Sequence, residues 1–173
     1  MKQDYQKTFA ERNNGRVNIA EIKAREYYKG KGLYVARFGF DEKNENIPAN
    51  YFKMIPQNIR NMPEYVIIGK GCWLLEVKGC RDILRIKLDD MKGYEFWNKI
   101  CKVVIFAYSC QFECCYIATY EKLKQLLKND SSIKKDKYPD NNKEYYAIPV
   151  KELTLIGYSD WCEKRDNGNY IRT

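Results

Sequence analysis

The strongest hydrophobic pattern in the chain lies at residues 62–79, MPEYVIIGKGCWLLEVKG, where two apolar runs flank a glycine-containing turn. This arrangement predicts a β-hairpin. Other runs rich in β-branched and aromatic residues predict strands at 33–40, 102–109 and 114–120. The segment 145–156 is also apolar, and we expect it to form a final strand or a docking segment.

Helical periodicity marks three segments. The first, 17–32, has small and aromatic residues on one face and glycines at its end. The residues of that face are Ala20, Ala24, Tyr27 and Tyr28. Glu21 lies on the flank of the same face, whereas Glu26 points away from it. Further helices are predicted around 86–100 and at 121–127.

The order of these elements predicts an α/β fold with a central mixed β-sheet flanked by α-helices. We expect one domain over residues 1–173, with a core at about 17–127, a polar loop at 128–144 and an ordered C-terminal segment at 145–173. Residues 41–61 contain two prolines and no clear periodicity. We interpret them as a long excursion used for substrate contact or dimerisation.

The chain has 173 residues, a net charge of +8 and a sequence pI near 9.0. This excess of positive charge favours a nucleic-acid partner, with a merely lysine-rich composition as the alternative. No apolar run is long enough to cross a bilayer, and the first residues do not resemble a signal sequence. We therefore expect no membrane partner and a cytoplasmic location, in a bacterial, phage or viral setting.

The sequence contains no histidine. That excludes Ser-His-Asp and Cys-His catalysis and leaves acid–base chemistry to carboxylates, lysines and tyrosines. Seven cysteines without a signal sequence favour reduced thiols. Cys110, Cys114 and Cys115 suggest a zinc site, but Cys114 and Cys115 would lie on opposite faces of a strand, which favours packing instead.

Two glutamates and a lysine stand at the outer ends of the hairpin strands. If the pairing is symmetric about Lys70, Glu64 lies opposite Glu76, and Lys78 projects from the same face two residues further on. Opposed carboxylates repel, and a divalent cation such as Mg²⁺ would relieve that repulsion. Two carboxylates, an ammonium group and a metal suit the hydrolysis of a phosphodiester. The alternative is an ordinary hairpin rim with a Glu–Lys ion pair.

Pro-Glu at 63–64 followed by Glu76-Val-Lys78 resembles the bipartite motif of the PD-(D/E)XK nuclease superfamily. The triplet [DE]-x-K occurs four times in the chain, but only this one ends an apolar strand. Over roughly residues 17–120 the layout is similar to that of archaeal-type Holliday junction resolvases and phage junction endonucleases. The resemblance implies a restriction-endonuclease-like core, a homodimer, and branched or double-stranded DNA as substrate.

The resemblance also implies roles for individual residues. Glu64 and Glu76 would bind Mg²⁺, or Mn²⁺ in its place, together with the carbonyl of Val77. Lys78 would assist the attacking water. Glu21, in the position of the family's early glutamate, would complete the catalytic set directly or through a water.

Glu64 stands where the family usually has an aspartate. This departure favours, as the alternative to a junction-cleaving enzyme, a catalytically inactive module that binds nucleic acid. A restriction, homing or repair nuclease is an alternative within the enzyme class, and a host-interaction protein on the same fold is a third. If Glu64 faces away from the site, Asp82 would replace it as the metal ligand.

Basic residues near these elements are candidates for contacts with backbone phosphates, with ordinary solvated charges as the alternative. They are Arg60, Lys70, Lys87 and Lys92. Tyr94 and Trp97, three residues apart on the predicted helix around 86–100, fit a hydrophobic core better than a base-stacking platform.

Overall fold

The computed structural model describes residues 19–39, 47–131, 133–158, 162–164 and 170–172. The helices are α1 (Ile19–Gly30), α2 (Ala49–Met54), α3 (Gln57–Arg60), α4 (Leu88–Asn98) and α5 (Tyr120–Asn129), with a 3₁₀ turn at Val150–Glu152. The strands are β1 (Tyr34–Arg37), β2 (Tyr65–Ile68), β3 (Cys72–Cys80), β4 (Ile83–Lys87), β5 (Val103–Ser109), β6 (Cys114–Thr119), β7 (Lys134–Lys137), β8 (Glu144–Pro149), β9 (Thr154–Tyr158), β10 (Cys162–Lys164) and β11 (Tyr170–Arg172). Within the described ranges, no helix is long and apolar enough to span a membrane.

The central sheet has six strands in the order β1-β2-β3-β5-β6-β9. β3 and β5 run parallel, and the other neighbouring strands are antiparallel. Parallel neighbours need a crossover connection, which β4 and α4 provide here. A second, three-stranded sheet has the order β4-β8-β7. The predicted α/β fold, with a central mixed sheet flanked by helices, is confirmed.

Both faces of the central sheet are covered by a hydrophobic core. Odd-numbered hairpin residues such as Ile67 and Leu75 pack with α1, whereas Leu74 packs with α4, α5 and the small sheet. β5 is buried at all seven positions and contributes to both cores. Each large aliphatic side chain buried in this way contributes about 1.5–3 kcal/mol. The even-numbered hairpin positions, including Glu64 and Glu76, therefore belong to the α4 side.

Helix α1 has the face that the sequence predicts. Ala20, Ala24 and Tyr28 are buried against the sheet. Glu21 in the first turn has the sign that complements the helix dipole. The chain leaves the helix through Gly32, whose φ of 72° is readily adopted by glycine. Residues 17 and 18 of the predicted helix lie outside the described residues.

Two charged strands were not predicted. β4 ends at Lys87 and so includes the first two residues of the helix expected around 86–100, and β7, with the sequence KKDK, lies inside the segment 128–144. The prediction of a polar loop at 128–144 is therefore wrong for β7, whose pairing with β8 organises it despite four exposed residues. The described part of 41–61 forms α2 and α3 instead of an irregular excursion. The residues after 156 include the paired strands β10 and β11.

Candidate active site

The β2–β3 hairpin has the register that its turn predicts. All its pairs are symmetric about Lys70, and the last of them is Tyr65–Leu75. Continuing this register by one residue sets Glu64 opposite Glu76. Strand β3 runs on to residue 80 without a β2 partner, so the two glutamates lie where the hairpin opens.

Glu64 is half-buried, and one oxygen of its carboxyl group is fully enclosed. Its Oε2 atom has no hydrogen-bond partner in the described part of the protein. Burial, and next the charge of Glu76, raise the pKa of Glu64 to about 8, although Lys78 acts in the opposite direction. This carboxyl therefore holds its proton to a higher pH than an exposed glutamate, and a further positive charge beside it would favour its ionised form.

Lys78 carries an ammonium group between two acids. Its Nζ atom lies 2.6 Å from Oε1 of Glu76 and 3.4 Å from Oδ2 of Asp90. Burial acts to lower the pKa of Lys78, but Glu76, Tyr94 and Asp90 outweigh it and hold that pKa well above 10.5. Lys78 is therefore charged at neutral pH and supplies a fixed positive charge next to Glu76, which is only 5% exposed.

Asp90 is a site residue that sequence reasoning missed. It belongs to one of the [DE]-x-K triplets that do not end an apolar strand, and it lies in the first turn of α4. The only signal in the sequence is a pair of acids at a helix start, which is common because it complements the helix dipole. One turn later lies the buried Tyr94, whose pKa is raised well above its ordinary value by burial first and by the charge of Glu76 next. Tyr94 is a core residue, as expected.

Glu21 lies beside this cluster on the α1 side of the sheet. Its Oε2 atom accepts a hydrogen bond from the hydroxyl of Tyr65 and lies 3.4 Å from a guanidinium nitrogen of Arg37. The charge of Glu21 also acts to raise the pKa of Glu64, which places the two carboxyl groups within electrostatic range. Glu64 is therefore acted on by charges from both faces of the sheet: Glu21 on the α1 side, and Glu76 and Lys78 on the α4 side.

The backbone of Glu64 is held by the chain that follows β1. The amides of Phe38 and Gly39 donate to the Glu64 carbonyl at 2.8 and 3.1 Å. A Cβ atom on Gly39 would lie 2.7 Å from the carbonyl oxygen of Pro63 and 3.1 Å from the Cα of Glu64. The missing side chain therefore permits the close approach that positions Glu64.

We expect Gly39→Ala to lower the free energy of unfolding by about 1–3 kcal/mol, because the added methyl group would displace the backbone before Glu64. Gly71→Ala is the matched control, since a Cβ there meets nothing within 4 Å. Its effect should stay within about 0.5 kcal/mol. Thermal and urea unfolding followed by circular dichroism measure both. Equal stabilities of the two variants would contradict the tight packing at Gly39.

The backbone of Val77 faces the open edge beside the glutamates. The amide of Leu74 donates to the carbonyl of Lys102 at 2.8 Å, so it points toward β5. Backbone groups alternate in direction along a strand, so those of Val77 point to the opposite edge. Because β2 ends before this level, the Val77 carbonyl lies at an unpaired edge next to Glu76.

These groups fit a hard cation. Among the described residues, no three acidic, cysteine or histidine side chains are grouped closely enough to hold a metal ion. The possible metal ligands are instead the carboxylates of Glu64 and Glu76 and the backbone carbonyl of Val77. Mg²⁺ is commonly held by one or two carboxylates, with waters and phosphate oxygens in its other positions. The unpartnered Oε2 of Glu64 is an acceptor of the kind such an ion requires.

The alternative ligands of the sequence analysis lie elsewhere. Asp82 is exposed in the turn between β3 and β4, whereas Glu64 faces Glu76. Cys114 and Cys115 lie in the cores on opposite sides of the sheet, as the strand pattern predicts. Their thiols are free of disulfides.

Two of the four basic candidates lie away from the glutamates or within packing contacts. Lys70 is in the hairpin turn, at the opposite end of β2 from Glu64. The four residues of β2 and Gly69 of the turn separate the two, which corresponds to roughly 15–20 Å. The guanidinium of Arg60 lies 5.9 Å from the ring centre of Phe52.

The other two basic candidates flank the start of α4. Lys92 forms an exposed ion pair with Asp89 at 3.1 Å. Lys87 ends β4 and precedes α4, three residues before Asp90. The four predicted phosphate contacts are therefore spread over the fold, and only Lys87 and Lys92 lie within three residues of Asp90 in the chain.

No protein-family model matches the sequence, and no curated protein matches it significantly. The solved structures that are similar to this chain include two nucleases. One is a nuclease from a fusselovirus, with 12% identity, a TM-score of 0.47, and coverage of 86% of this chain and 88% of that chain. The other is a Holliday junction resolvase from the archaeal hyperthermophile Archaeoglobus fulgidus, with 9% identity, a TM-score of 0.49, and coverage of 80% and 89%.

Proposed function

We propose that the protein is a metal-dependent endonuclease that hydrolyses phosphodiester bonds in DNA. The observation that carries this proposal is the buried Oε2 atom of Glu64, which has no hydrogen-bond partner among the described residues, beside Glu76 and the Lys78 ammonium. An ordinary hairpin rim would leave its glutamates in solvent, where they cost nothing. Burying two acids together lowers stability, and a cation bound between them offsets that cost.

We assign roles according to where the groups lie. Glu64 and Glu76, with the carbonyl of Val77, would hold Mg²⁺ or Mn²⁺. When bound, the ion would polarise the phosphate and lower the pKa of a coordinated water. Lys78 remains an ammonium group, so it could donate hydrogen bonds, and it would orient the water and stabilise negative charge developing on the phosphate. Glu21 supports the site from the α1 side of Glu64.

We propose branched or double-stranded DNA as the substrate, with four-way junctions as the first candidate. The net charge of +8 supports a polyanionic partner.

Cutting two strands requires two sites, so we also propose a homodimer, by analogy with resolvases. Exposed Tyr51 and Met54 on α2 are candidate contacts between protomers. Light scattering should then give twice the chain mass of 20.6 kDa, and a monomer at working concentration would contradict it.

A cleavage panel with Mg²⁺ or Mn²⁺ tests the proposed activity. The substrates are a four-way junction, a flap, supercoiled plasmid, linear duplex, single-stranded DNA and RNA. We expect metal-dependent cutting of the junction or flap, and none with EDTA. Preferred cutting of plasmid at defined sequences would favour a restriction or homing nuclease. Binding of DNA without cutting in either metal would favour the inactive module, and cutting of RNA alone would contradict the assignment to DNA.

A further inference from the structure

The small sheet β4-β8-β7 has one face in the core and one face turned outward. The inner face carries fully buried aliphatic residues: Leu84, Ile86 and Ile148. On the other face, Arg85 pairs with Ala147, and Ala147 pairs with Lys134. Residues paired across a sheet project to the same side. Arg85 and Lys134 therefore share the outward side, which we call the outer face.

The outer face is basic. Its next row pairs Lys87 with Tyr145 and Tyr145 with Asp136. The face thus has three cations, Arg85 and Lys134 being exposed, and one carboxylate. Asp136 already accepts hydrogen bonds from the Tyr145 hydroxyl at 2.9 Å and from a backbone amide at 2.7 Å. None of the three cations forms an ion pair with a described residue.

Aromatic rings connect this face to the candidate active site. The Arg85 guanidinium lies 5.2 Å from the ring centre of Tyr145, and the Tyr138 ring lies 4.5 Å from the same ring. Burial raises the pKa of Tyr138, and the charges of Lys78, Arg85 and Asp90 also act on it. Tyr138 therefore lies within electrostatic range of both the outer face and the Lys78–Asp90 pair.

The polypeptide makes a second connection. Lys87 is the last residue of β4 and the residue that precedes α4. Asp90, three residues later, contacts Lys78. The outer face and the candidate active site are therefore joined by less than one helical turn of chain.

We propose that the outer face, through Arg85, Lys87 and Lys134 beside Tyr138, binds the phosphate backbone of the nucleic acid that is cut at the adjoining Glu64–Glu76 site. This inference rests on the proposed function and adds to it a substrate-binding surface. Cations on one face can neutralise successive phosphates without reading sequence, which suits a structure-specific enzyme. Basic side chains also protect edge strands from aggregation, and β4 and β7 are the two edges of the small sheet, but edge protection does not require the cations of both strands to share one face.

The test compares two sets of charge-removing substitutions in the full chain. The first is Arg85→Gln, Lys87→Gln and Lys134→Gln combined. The matched control removes three exposed lysines on α5 and after α4: Lys99→Gln, Lys122→Gln and Lys128→Gln. Lys134→Glu alone is a further variant that leaves the Arg85–Tyr145 contact intact. Binding of a labelled four-way junction and a linear duplex is followed by fluorescence anisotropy in EDTA, so that no cutting occurs.

We expect the outer-face variant to bind at least about tenfold more weakly and its slope of log K against log salt to shrink by about 2–3, because each lost phosphate contact accounts for about 0.9. The control should change the slope by less than about 1. Equal losses in both sets, or no loss in the first, would overturn the proposal. The proposal would also be overturned if the outer-face substitutions weakened the binding of an acidic peptide more than they weakened the binding of DNA. If binding depends on the outer face but the wild type cuts nothing, only the proposed nuclease function fails.

Discussion

Replacing Glu76 by glutamine is expected to reduce DNA cleavage by at least about 10³-fold while DNA binding stays within about threefold of wild type. The substitution removes one of the two carboxylates that would hold the ion. It also removes the charge that lies 2.6 Å from the Lys78 ammonium. DNA binding should persist because it depends on the basic surface, which this change leaves untouched.

Single-turnover cleavage of a four-way junction with Mg²⁺, alongside anisotropy in EDTA, measures both effects. Glu95→Gln is the matched control, since this glutamate is exposed on α4. Lys78→Met should lower the cleavage rate by about 10²–10³-fold, because it deletes the charge that stabilises the phosphate in the transition state. A Glu76→Gln protein that is folded and retains a tenth or more of the wild-type rate would contradict the site assignment.

Replacing Glu64 by glutamine is expected to make the metal-free protein more stable at pH 8.5 while it loses cleavage activity. The pKa of Glu64 is about 8 in the folded protein, against a reference value of 4.5. The folded state therefore holds this proton up to about pH 8, and the unfolded state releases it near pH 4.5. Between these values the folded state binds more protons, so the free energy of unfolding falls as pH rises.

The rise in the pKa of Glu64 corresponds to about 5 kcal/mol of stability at most. Relaxation of the protein around the charged group reduces this cost. We therefore expect the free energy of unfolding of the variant to exceed that of the wild type by about 2–4 kcal/mol. Urea unfolding with EDTA and a reducing agent at pH 5 and pH 8.5 measures the difference, which should fall below about 1 kcal/mol at pH 5 because this pH is close to the reference pKa of 4.5. Glu95→Gln is again the control.

Mg²⁺ should reverse the order of stability, because the ion stabilises ionised Glu64. It should also release up to one proton per ion at pH 7, as measured by calorimetry in two buffers. No difference between wild type and Glu64→Gln at pH 8.5 would contradict the buried-acid interpretation.

The hairpin and α1 could be predicted because their patterns are local. The turn is symmetric about Lys70 and side chains alternate along strands, so the position of Glu64 opposite Glu76 follows from counting. Ala20, Ala24 and Tyr28 recur at helical spacing and are buried as expected. In both cases the signal is a periodicity carried by residues close in sequence, although the apolar face of α1 is buried against distant strands.

Asp90 and the strands β4 and β7 could not be predicted in the same way. β7 has no apolar residue, and it is a strand because β8 offers its backbone partners. Asp90 meets Lys78 only because the crossover between parallel β3 and β5 carries α4 over that face of the sheet. No residue spacing encodes that meeting, since the packing of many other residues produces it.

The sequence by itself determined which groups can act: with no histidine, the chemistry falls to carboxylates and a lysine, and the hairpin register brings Glu64, Glu76 and Lys78 to one face. Only the tertiary structure decided their electrostatic state. Burial beneath α4 leaves Glu64 without a hydrogen-bond partner for Oε2 among the described residues, and it encloses Lys78 between Glu76 and Asp90. Alternation along a strand is a property of local backbone geometry, whereas desolvation and charge pairing depend on residues far apart in the chain.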